Sequence, residues 1–335
     1  MSFKKTMMLA LAAAGVQALV AAPTVSNVTV AFDDTTRMMT IGYSLSEKAV
    51  VTVDILTNGV SMGERNFRSL SGDVNRLVQP GGREIVWNAK ADVIGVEKLE
   101  IQAEVRAWST NCPPDYMVVD LVGHGSDPRF RYYVSTDAMP FAGGVNDDLC
   151  KTEYMVFRKI PAAGVVWRMG AGAKSTTEGD ARECDGSKES PHLVTLPDDY
   201  YMGVYEVTQR QYTNGYYTAS DSLSSKFICG GDLRPVENME YSKVRPDTWP
   251  ADGHAFSGNA TWIGRLRALS GVAFDLPTDA QWEFACRAEC DTALYNGKGV
   301  GFPEGYDPEL DKLGWFTANA GNQSHPVGQK LPNAW

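Results

Sequence analysis

The sequence predicts two folded units, an all-β sandwich followed by a unit of mixed α and β structure. A chain of 335 residues is longer than one typical domain. Short runs of β-branched and aromatic residues fill the first third of the chain, whereas clear helix starts appear only beyond residue 200. Hydrophobic content of 43% with 21% charged residues is typical of ordered globular domains. We therefore expect two domains, each with its own core.

Residues 1–22 have the pattern of a signal peptide for export. A positive start that includes Lys4 precedes an apolar stretch, and small residues run up to Ala22. We predict cleavage after Ala18 or near Ala21, and a secreted, periplasmic or cell-surface protein. The alternative is an uncleaved membrane anchor, for which the apolar stretch is short.

The charge of the chain excludes two classes of partner. The formal charge of −10 becomes −12 once Lys4 and Lys5 leave with the signal. Nucleic acid and anionic membrane surfaces need clustered cations, so we expect no nucleic-acid partner and no membrane association after signal cleavage. Six cysteines permit disulfides in an oxidising compartment, in pairings that the sequence leaves open. The four histidines lie at no metal-ligand spacing, so a structural zinc site is not expected.

Residues 23–108 are predicted to form a β-sandwich, and the stretch from Val74 to Trp87 resembles small immunoglobulin or fibronectin-type modules of exported proteins. Two turn signals separate the strand candidates, Asn58-Gly59 and Pro80-Gly81-Gly82. Alternating faces would let two sheets bury a common core around Trp87. The strand candidates are residues 28–32, 39–43, 50–56, 84–87 and 99–105.

Residues 109–150 are predicted to be a connector. One strand candidate, Tyr116-Met-Val-Val-Asp-Leu-Val122, lies within it. Residues 123–148 are rich in turn signals, such as Asp127-Pro128 and Gly143-Gly144. The boundary between the two units is therefore placed here.

Residues 151–335 are predicted to form the second unit. Thr208 with Gln211, and Thr278 with Gln281, have the spacing of capping boxes at helix starts. Between them, an amphipathic stripe indicates a third helix that stops at Gly271. The stripe comprises Trp262, Leu266 and Leu269. A glycine-rich and aromatic-rich loop is expected from Asp291 onward. The strand candidates of this unit are residues 153–157, 165–170, 192–196 and 201–205.

Five segments of the second unit form an ordered series that resembles the sulfatase-modifying-factor family, whose best-known members are formylglycine-generating enzymes. The segments are Val165-Val-Trp-Arg-Met-Gly170, Pro191-His-Leu-Val-Thr-Leu196 with Tyr201-Met-Gly-Val-Tyr-Glu-Val-Thr-Gln209, Arg234-Pro-Val-Glu-Asn238, Phe274-Asp-Leu-Pro-Thr-Asp-Ala-Gln-Trp-Glu-Phe-Ala-Cys-Arg-Ala288, and residues 319–335. The resemblance implies a variant of the C-type-lectin fold, with a mixed sheet, few helices and long ordered loops.

The resemblance also implies chemistry that these residues do not supply. Active relatives use two nearby cysteines, downstream of the last segment, to bind copper(I) and to oxidise a cysteine of a sulfatase-like protein substrate to formylglycine. No matching pair falls within the 335 positions. We therefore expect a domain that is incomplete at its C-terminus, assign no catalytic residue, expect copper only in a full-length active relative, and leave open whether the protein is an enzyme.

Two cysteines near the Phe274 segment are candidates to replace the missing pair, because thiolates suit copper(I). Cys286 shares a predicted apolar helix face with Trp282 and Ala285, and Cys290 lies at or beyond the helix end. We favour a core thiol for Cys286 and a disulfide or free thiol for Cys290. For the loop residues Cys184 and Cys229, we expect disulfide bonding.

Two polar residues are further candidates. The resemblance implies calcium at a loop position matched by Asn319, since calcium prefers oxygen ligands. The alternative is that Asn319 and Asn322 are ordinary turn residues. Glu206 could act as an acid or base, but no carboxylate or histidine is spaced to pair with it, so a structural role near a helix start is favoured.

A non-catalytic binding module is the alternative function. C-type-lectin scaffolds hold loops rigidly, and the aromatic loop residues could line a surface for carbohydrate or protein. The opposing interpretation is that these rings fill the core of a loop-rich fold. The iron-dependent sulfoxide synthases that share the scaffold need a histidine cluster, which is not evident here. The aromatic loop residues are Tyr295, Phe302, Tyr306, Trp315 and Phe316.

Overall fold

The computed structural model of the protein describes residues 22–92, 101–124, 129–170, 191–216, 231–245, 260–299 and 305–335. The predicted signal peptide lies outside the described residues, apart from Ala22. Cys184, Cys229 and Phe302 also lie outside them. The expectations for those residues therefore stay predictions.

The residues that the structure describes in the first unit form eight strands in two sheets. One sheet has the order β1-β2-β7-β5, and the other is centred on β3, which pairs with β4, β6 and β8. All described pairings are antiparallel, and a short helix, α1 (Ala89–Asp92), follows β7. The strands are β1 Val25–Asp33, β2 Met38–Leu45, β3 Ala49–Thr57, β4 Val60–Ser61, β5 Leu70–Gly72, β6 Arg76–Val78, β7 Gly81–Asn88 and β8 Ile101–Trp108.

The two sheets of the first unit share one hydrophobic core. Alternate residues of β2 are buried, from Met39 through Ile41 and Tyr43 to Leu45, as period-two alternation requires when one face is covered. Trp87 is fully buried among them, and its indole N–H donates to the Asp92 carboxylate at 2.8 Å. The described residues of the first unit are rich in sheet and share a core around Trp87, which is compatible with the predicted β-sandwich.

The predicted turns lie between strands of this unit. Asn58 and Gly59 have φ angles of 53° and 77°, so both central residues of the β3–β4 hairpin are left-handed. That conformation explains why an Asn-Gly pair occupies this turn. The Pro80 turn carries the chain from β6 in one sheet to β7 in the other, with a φ of 113° at Gly81.

The second unit contains a four-stranded sheet with the order β10-β9-β11-β14 and a separate two-stranded ladder, β12-β13. Its strands are β9 Tyr116–Asp120, β10 Phe130–Tyr133, β11 Tyr154–Ile160, β12 Val166–Met169, β13 His192–Thr195 and β14 Tyr200–Gly203. Its helices are α2 Gln209–Tyr216, α3 Tyr241–Val244, α4 Trp262–Ser270, α5 Asp279–Arg287 and α6 Pro308–Leu313.

Residues 109–150, which were predicted to be a connector, contribute strands to the sheet of the second unit. β9 lies inside the four-stranded sheet, paired with β10 on one side and β11 on the other. The predicted strand at 116–122 is therefore present, whereas β10 was not predicted because turn residues surround it. Contacts to the first unit also start here: the Tyr132 amide donates to the Asn75 carbonyl at 2.7 Å, and Arg65 pairs with Asp137 at 2.6 Å.

The helix starts of the second unit follow the predicted capping residues. Thr208 and Gln211 exchange hydrogen bonds of 3.0 and 3.1 Å at the start of α2. Thr278 and Gln281 form a complete capping box at α5. The third predicted helix is α4, which ends at Gly271 with a φ of 72°.

Helix α6 differs from the loop expected beyond Asp291. The Asp307 side chain accepts the Glu309 and Leu310 amides at 2.8 and 3.0 Å, and Pro308 occupies the first turn. An Asp-Pro pair is a recognised helix start, but six residues are too few to show a helical period.

The main core of the second unit lies between the sheet and α4. Met117, Val119 and Met155 from the strands pack with Trp262 and Leu266 from the helix. No helix within the described ranges is long and apolar enough to cross a membrane. The described part of the second unit thus combines a small antiparallel sheet with short helices and long connections.

Candidate functional site

Helix α5 presents a different face from the predicted one. Trp282 is 59% exposed, whereas Phe284 and Ala285 are buried. The Phe284 ring packs against Trp167 and Trp335, with ring centroids 5.4 and 6.1 Å apart. With Phe284 packed inward, the Trp282 side chain lies at the surface. The prediction that Trp282 shares a buried face with Ala285 and Cys286 is therefore wrong.

The thiols near α5 are free and chemically different. Cys286 is half-buried, and this burial raises the pKa of its thiol. Burial would also raise the pKa of the Cys290 thiol, but hydrogen bonds from Thr292 and from the Gly297 amide outweigh it and lower that pKa. Cys112 and Cys150 are free as well, so the four described cysteines form no disulfide. Within the described ranges, no group of three or more ligating His, Cys, Asp or Glu residues could hold a metal ion.

The last segment of the chain closes over the end of α5. The Asn333 amide donates to the carbonyls of Ala285 and Cys286 at 2.7 and 3.2 Å, which satisfies acceptors that the helix leaves free. Arg158 of β11 donates to the Trp335 carbonyl at 3.2 Å. The family segment from Phe274 to Ala288 and the last segment, residues 319–335, are therefore in contact.

Gly328, in the last segment, packs closely against Tyr205, in the family segment that starts at Tyr201. Its φ of +73° favours glycine, and an added Cβ would come within 2.7 Å of the Tyr205 ring. The Tyr205 hydroxyl donates to the Val145 carbonyl at 3.1 Å, which holds that ring in place. Only glycine permits this approach without a shift of the tyrosine.

Asp311 is the centre of a polar network in the loop that follows α5. Its carboxylate accepts the Asn319 amide at 2.7 Å, the Tyr306 hydroxyl at 3.0 Å and the Lys330 ammonium at 3.2 Å. These three hydrogen bonds, led by that of Asn319, lower the pKa of Asp311. The network fixes the loop without a disulfide at any described cysteine.

The arrangement around Asn319 does not fit calcium. The amide nitrogen of Asn319, which cannot ligate a cation, faces Asp311 and the Gly314 carbonyl, while its oxygen accepts the Phe316 amide at 2.7 Å. The nearby carboxylate is already paired with Lys330. Calcium requires several converging oxygens. Calcium binding at Asn319 stays a prediction.

The aromatic side chains of this loop divide into two groups. Trp315 is 40% exposed and Tyr306 is 54% exposed. The Trp315 ring stacks on His325 at 3.8 Å, and the Lys330 ammonium lies 3.8 Å from its centroid. By contrast, Tyr295 is half-buried and donates to the Leu313 and Leu331 carbonyls, and Phe316 is half-buried. We call Tyr306, Asp311, Trp315, His325 and Lys330 the Asp311 surface, and it is the candidate functional site.

Sequence reasoning named Tyr306 and Trp315 but missed Asp311 and Lys330. The Asp307-Pro308 helix start was the available signal for Asp311, because it places that residue one turn into a helix. Lys330 gave no signal, since its partner lies 19 positions away. Glu206 is exposed and makes no hydrogen bond to a described residue.

Comparison with known proteins gives the family. The profile of the family described as sulfatase-modifying factor enzyme 1-like domain matches residues 157–335. A protein named Chaperone protein LppX, from Paenibacillus barcinonensis, is 27% identical over 192 residues. That alignment covers 47% of this chain and 63% of the relative, so the chain spans less than two thirds of the relative's length. No solved structure matches the chain.

The profile match covers more than half of the chain and includes α5, the Asp311 surface and the last segment. The chain therefore belongs to the family of proteins with a sulfatase-modifying factor enzyme 1-like domain.

Proposed function

We propose that this chain is an exported binding protein that uses a C-type-lectin variant of the family domain to present the Asp311 surface to a partner. One observation carries the proposal: Trp315 and Tyr306 are exposed, yet contacts within the loop fix both side chains. Large rings held in place before binding supply contact area at a small cost in side-chain entropy.

A protein partner is the first choice. The relative that aligns over 192 residues is named a chaperone. The charged groups beside the rings could orient a polypeptide, since Asp311 and Lys330 lie within the same surface. A carbohydrate is the alternative, because exposed aromatic side chains beside hydrogen-bonding groups also suit a sugar.

We propose in addition that these 335 residues do not convert cysteine to formylglycine. That oxidation in relatives requires a pair of thiols that grips copper(I). Burial raises the pKa of the Cys286 thiol and so disfavours its thiolate, whereas the pKa of Cys290 is lowered. One favoured thiolate does not make a copper-binding pair.

The binding proposal is tested with peptide and glycan arrays. We expect the full chain to bind one class of probe, and Trp315→Ala to lose at least nine tenths of the signal. Trp282→Ala is the matched control, because it removes an exposed tryptophan outside the surface. Equal signals from the two variants would refute a role for the Asp311 surface.

The catalytic part has a separate test. The chain is incubated with a sulfatase-derived cysteine peptide, copper(I) and oxygen, and the peptide is analysed for an aldehyde by mass spectrometry. We expect none. Peptide aldehyde formed by this chain, and absent with Cys286→Ser, would overturn the proposal.

Export is tested by the mass of the protein recovered outside the cytoplasm of an expressing cell. We expect a mature N-terminus after Ala18 or near Ala21. An intact Met1 on all of the protein, with none outside the cytoplasm, would contradict it.

A further inference from the structure

We propose that strand β1 pairs edge to edge with β1 of a second copy of this chain, so that the protein forms a twofold-symmetric dimer through its first unit. β1 is the outer strand of its sheet, and within the described residues it pairs with β2 alone. Alternate N–H and C=O groups of an outer strand point away from its neighbour and can accept another strand. Each dimer would present two Asp311 surfaces, but the pairing itself does not depend on their function.

The valines of β1 are exposed although the core face of the sheet continues onto this strand. Val30 lies opposite Ile41, which is fully buried, and opposite residues of an antiparallel pair share one face. Yet Val30 is 38% exposed, and Val28 is 41% exposed. The core of the first unit therefore leaves aliphatic surface uncovered beside the free edge.

The other edge strands of the first unit are protected in ways that β1 is not. β4, β5 and β6 are two or three residues long, so they offer few groups for pairing. β8 is eight residues long, but its exposed face carries Glu104 and Arg106. β1 is nine residues long, without lysine or proline, and its one charged residue is Asp33 at the end. It therefore lacks most of the features that keep natural edge strands apart.

One protective feature is present, a bulge near the start of β1. The register with β2 shifts between Ser26 and Thr29, and Asn27 has a left-handed φ of 52°. A bulge bends and twists its strand, which disfavours a further partner at that point. Regular pairing with β2 runs from Thr29 to Asp33. We therefore place the contact between the two copies in residues 29–33.

Charge favours a second copy as the partner of this edge. The chain has a formal charge of −10, so two copies repel each other unless they meet where charges are few. An antiparallel pair about a twofold axis at Ala31 puts Asp33 of each copy opposite Thr29 of the other, so no like charges are opposed. Val30 then lies opposite Phe32, and such apolar cross-strand pairs are stabilising. The symmetric pairing also closes both free edges at once.

The oligomeric state of the full chain tests the proposal. Molar mass is measured by sedimentation or light scattering over a wide range of concentrations, with a reductant because Cys112 is an exposed free thiol. We expect the average mass to rise toward twice that of the monomer. Val60→Lys, at a 67% exposed valine of β4, is the matched control and should change the dissociation constant less than about twofold. A monomer at every concentration would overturn the proposal, including the case in which β1 binds a strand of a different protein.

Charges introduced at Ala31 locate the contact. Ala31 is exposed and lies on the face opposite to Val30, so a charged side chain there leaves the core untouched. Ala31→Lys and Ala31→Glu each bring like charges together across the twofold axis, so we expect each to weaken the dimer at least about tenfold.

An equimolar mixture of these two variants should restore the dimer, because the facing charges are then opposite. Undiminished dimers of either variant alone would overturn pairing through β1, as would the absence of recovery when two folded variants are mixed. If a variant fails to fold, the concentration dependence of the unchanged chain decides the matter alone.

Discussion

The two units of this protein are stabilised in different ways. In the described part of the first unit, one polar side chain, Thr52, is buried, and the core is otherwise aliphatic and aromatic. The second unit buries nine polar side chains within its described ranges, including Gln211, Arg245 and Asp307. Each buried polar group needs a partner at a defined distance.

The two units should therefore tolerate different kinds of mutation. A hydrophobic core accepts many side chains of similar volume. A buried hydrogen-bond network loses stability whenever one partner is removed, because the other is left unsatisfied. The first unit should therefore respond to lost volume, and the second to lost hydrogen bonds.

The largest effect is expected in the core of the first unit. Trp87→Ala removes a fully buried indole and its hydrogen bond to Asp92, so we expect a loss of about 4 kcal/mol in the free energy of unfolding. Denaturant titration measures the loss, and hydrogen exchange locates it in β2 and β7. Trp282→Ala, at a 59% exposed site, should cost less than about 0.5 kcal/mol. Similar losses in the two variants would mean that Trp87 does not anchor this core.

Breaking a buried ion pair in the second unit should lower the free energy of unfolding nearly as much. Arg245 is 1% exposed and binds Asp275 through two hydrogen bonds of 2.7 and 3.1 Å. Arg245→Met removes the closer guanidinium partner of a carboxylate that is 9% exposed and leaves the longer contact with Arg267 at 3.5 Å, so we expect a loss of about 3 kcal/mol. Arg210→Met, at the exposed pair with Asp232, should cost less than about 0.5 kcal/mol. A small loss at Arg245 would contradict the contrast between the two units.

The two capping boxes allow a sharper comparison, because the motif is the same and the burial differs. Gln211 also donates to the Cys150 and Tyr154 carbonyls at 3.1 and 2.7 Å. We expect Gln211→Ala to cost about 2 kcal/mol, since it leaves buried acceptors unpaired. Gln281→Ala should cost about 0.5 to 1 kcal/mol, the ordinary loss of a helix cap. Equal losses in thermal or denaturant unfolding would show that burial adds nothing.

The smallest expected effect concerns thiol reactivity. The pKa is lowered at Cys290 and raised at Cys286, so Cys290 should form the reactive thiolate at lower pH. We expect iodoacetamide at about pH 7.5 to label Cys290 several times faster than Cys286, as peptide mass spectrometry would measure. Thr292→Val removes a hydrogen bond to the Cys290 thiol and should reduce the difference. Faster labelling of Cys286 would reverse the assignment.

The first unit was predictable because its signals are local. Alternation in β2 and the Asn58-Gly59 turn depend on neighbouring residues alone, and both appear where the sequence places them. The capping boxes at Thr208 and Thr278 are local in the same sense. Strand β10 was missed because only its pairing with β9 makes it a strand.

The candidate site was predictable only in part. Tyr306 and Trp315 stand out by composition, but whether a ring is exposed depends on its neighbours in space. Lys330 approaches Trp315 and Asp311 from 15 and 19 positions away, and no spacing rule spans such distances. Trp282 shows the opposite error, since a favourable helical spacing did not bury it.

The amino-acid sequence by itself determined the β-rich first unit, the starts of the main helices and the order of the family segments. These depend on backbone preference and short-range periodicity, which each stretch of chain contains within itself. Only the tertiary structure decided which rings face solvent and that Asp311 joins Tyr306 to Lys330. Hydrogen bonds and charge pairs act over a few ångströms in space, so residues far apart in the chain acquire these roles only when the fold brings them together.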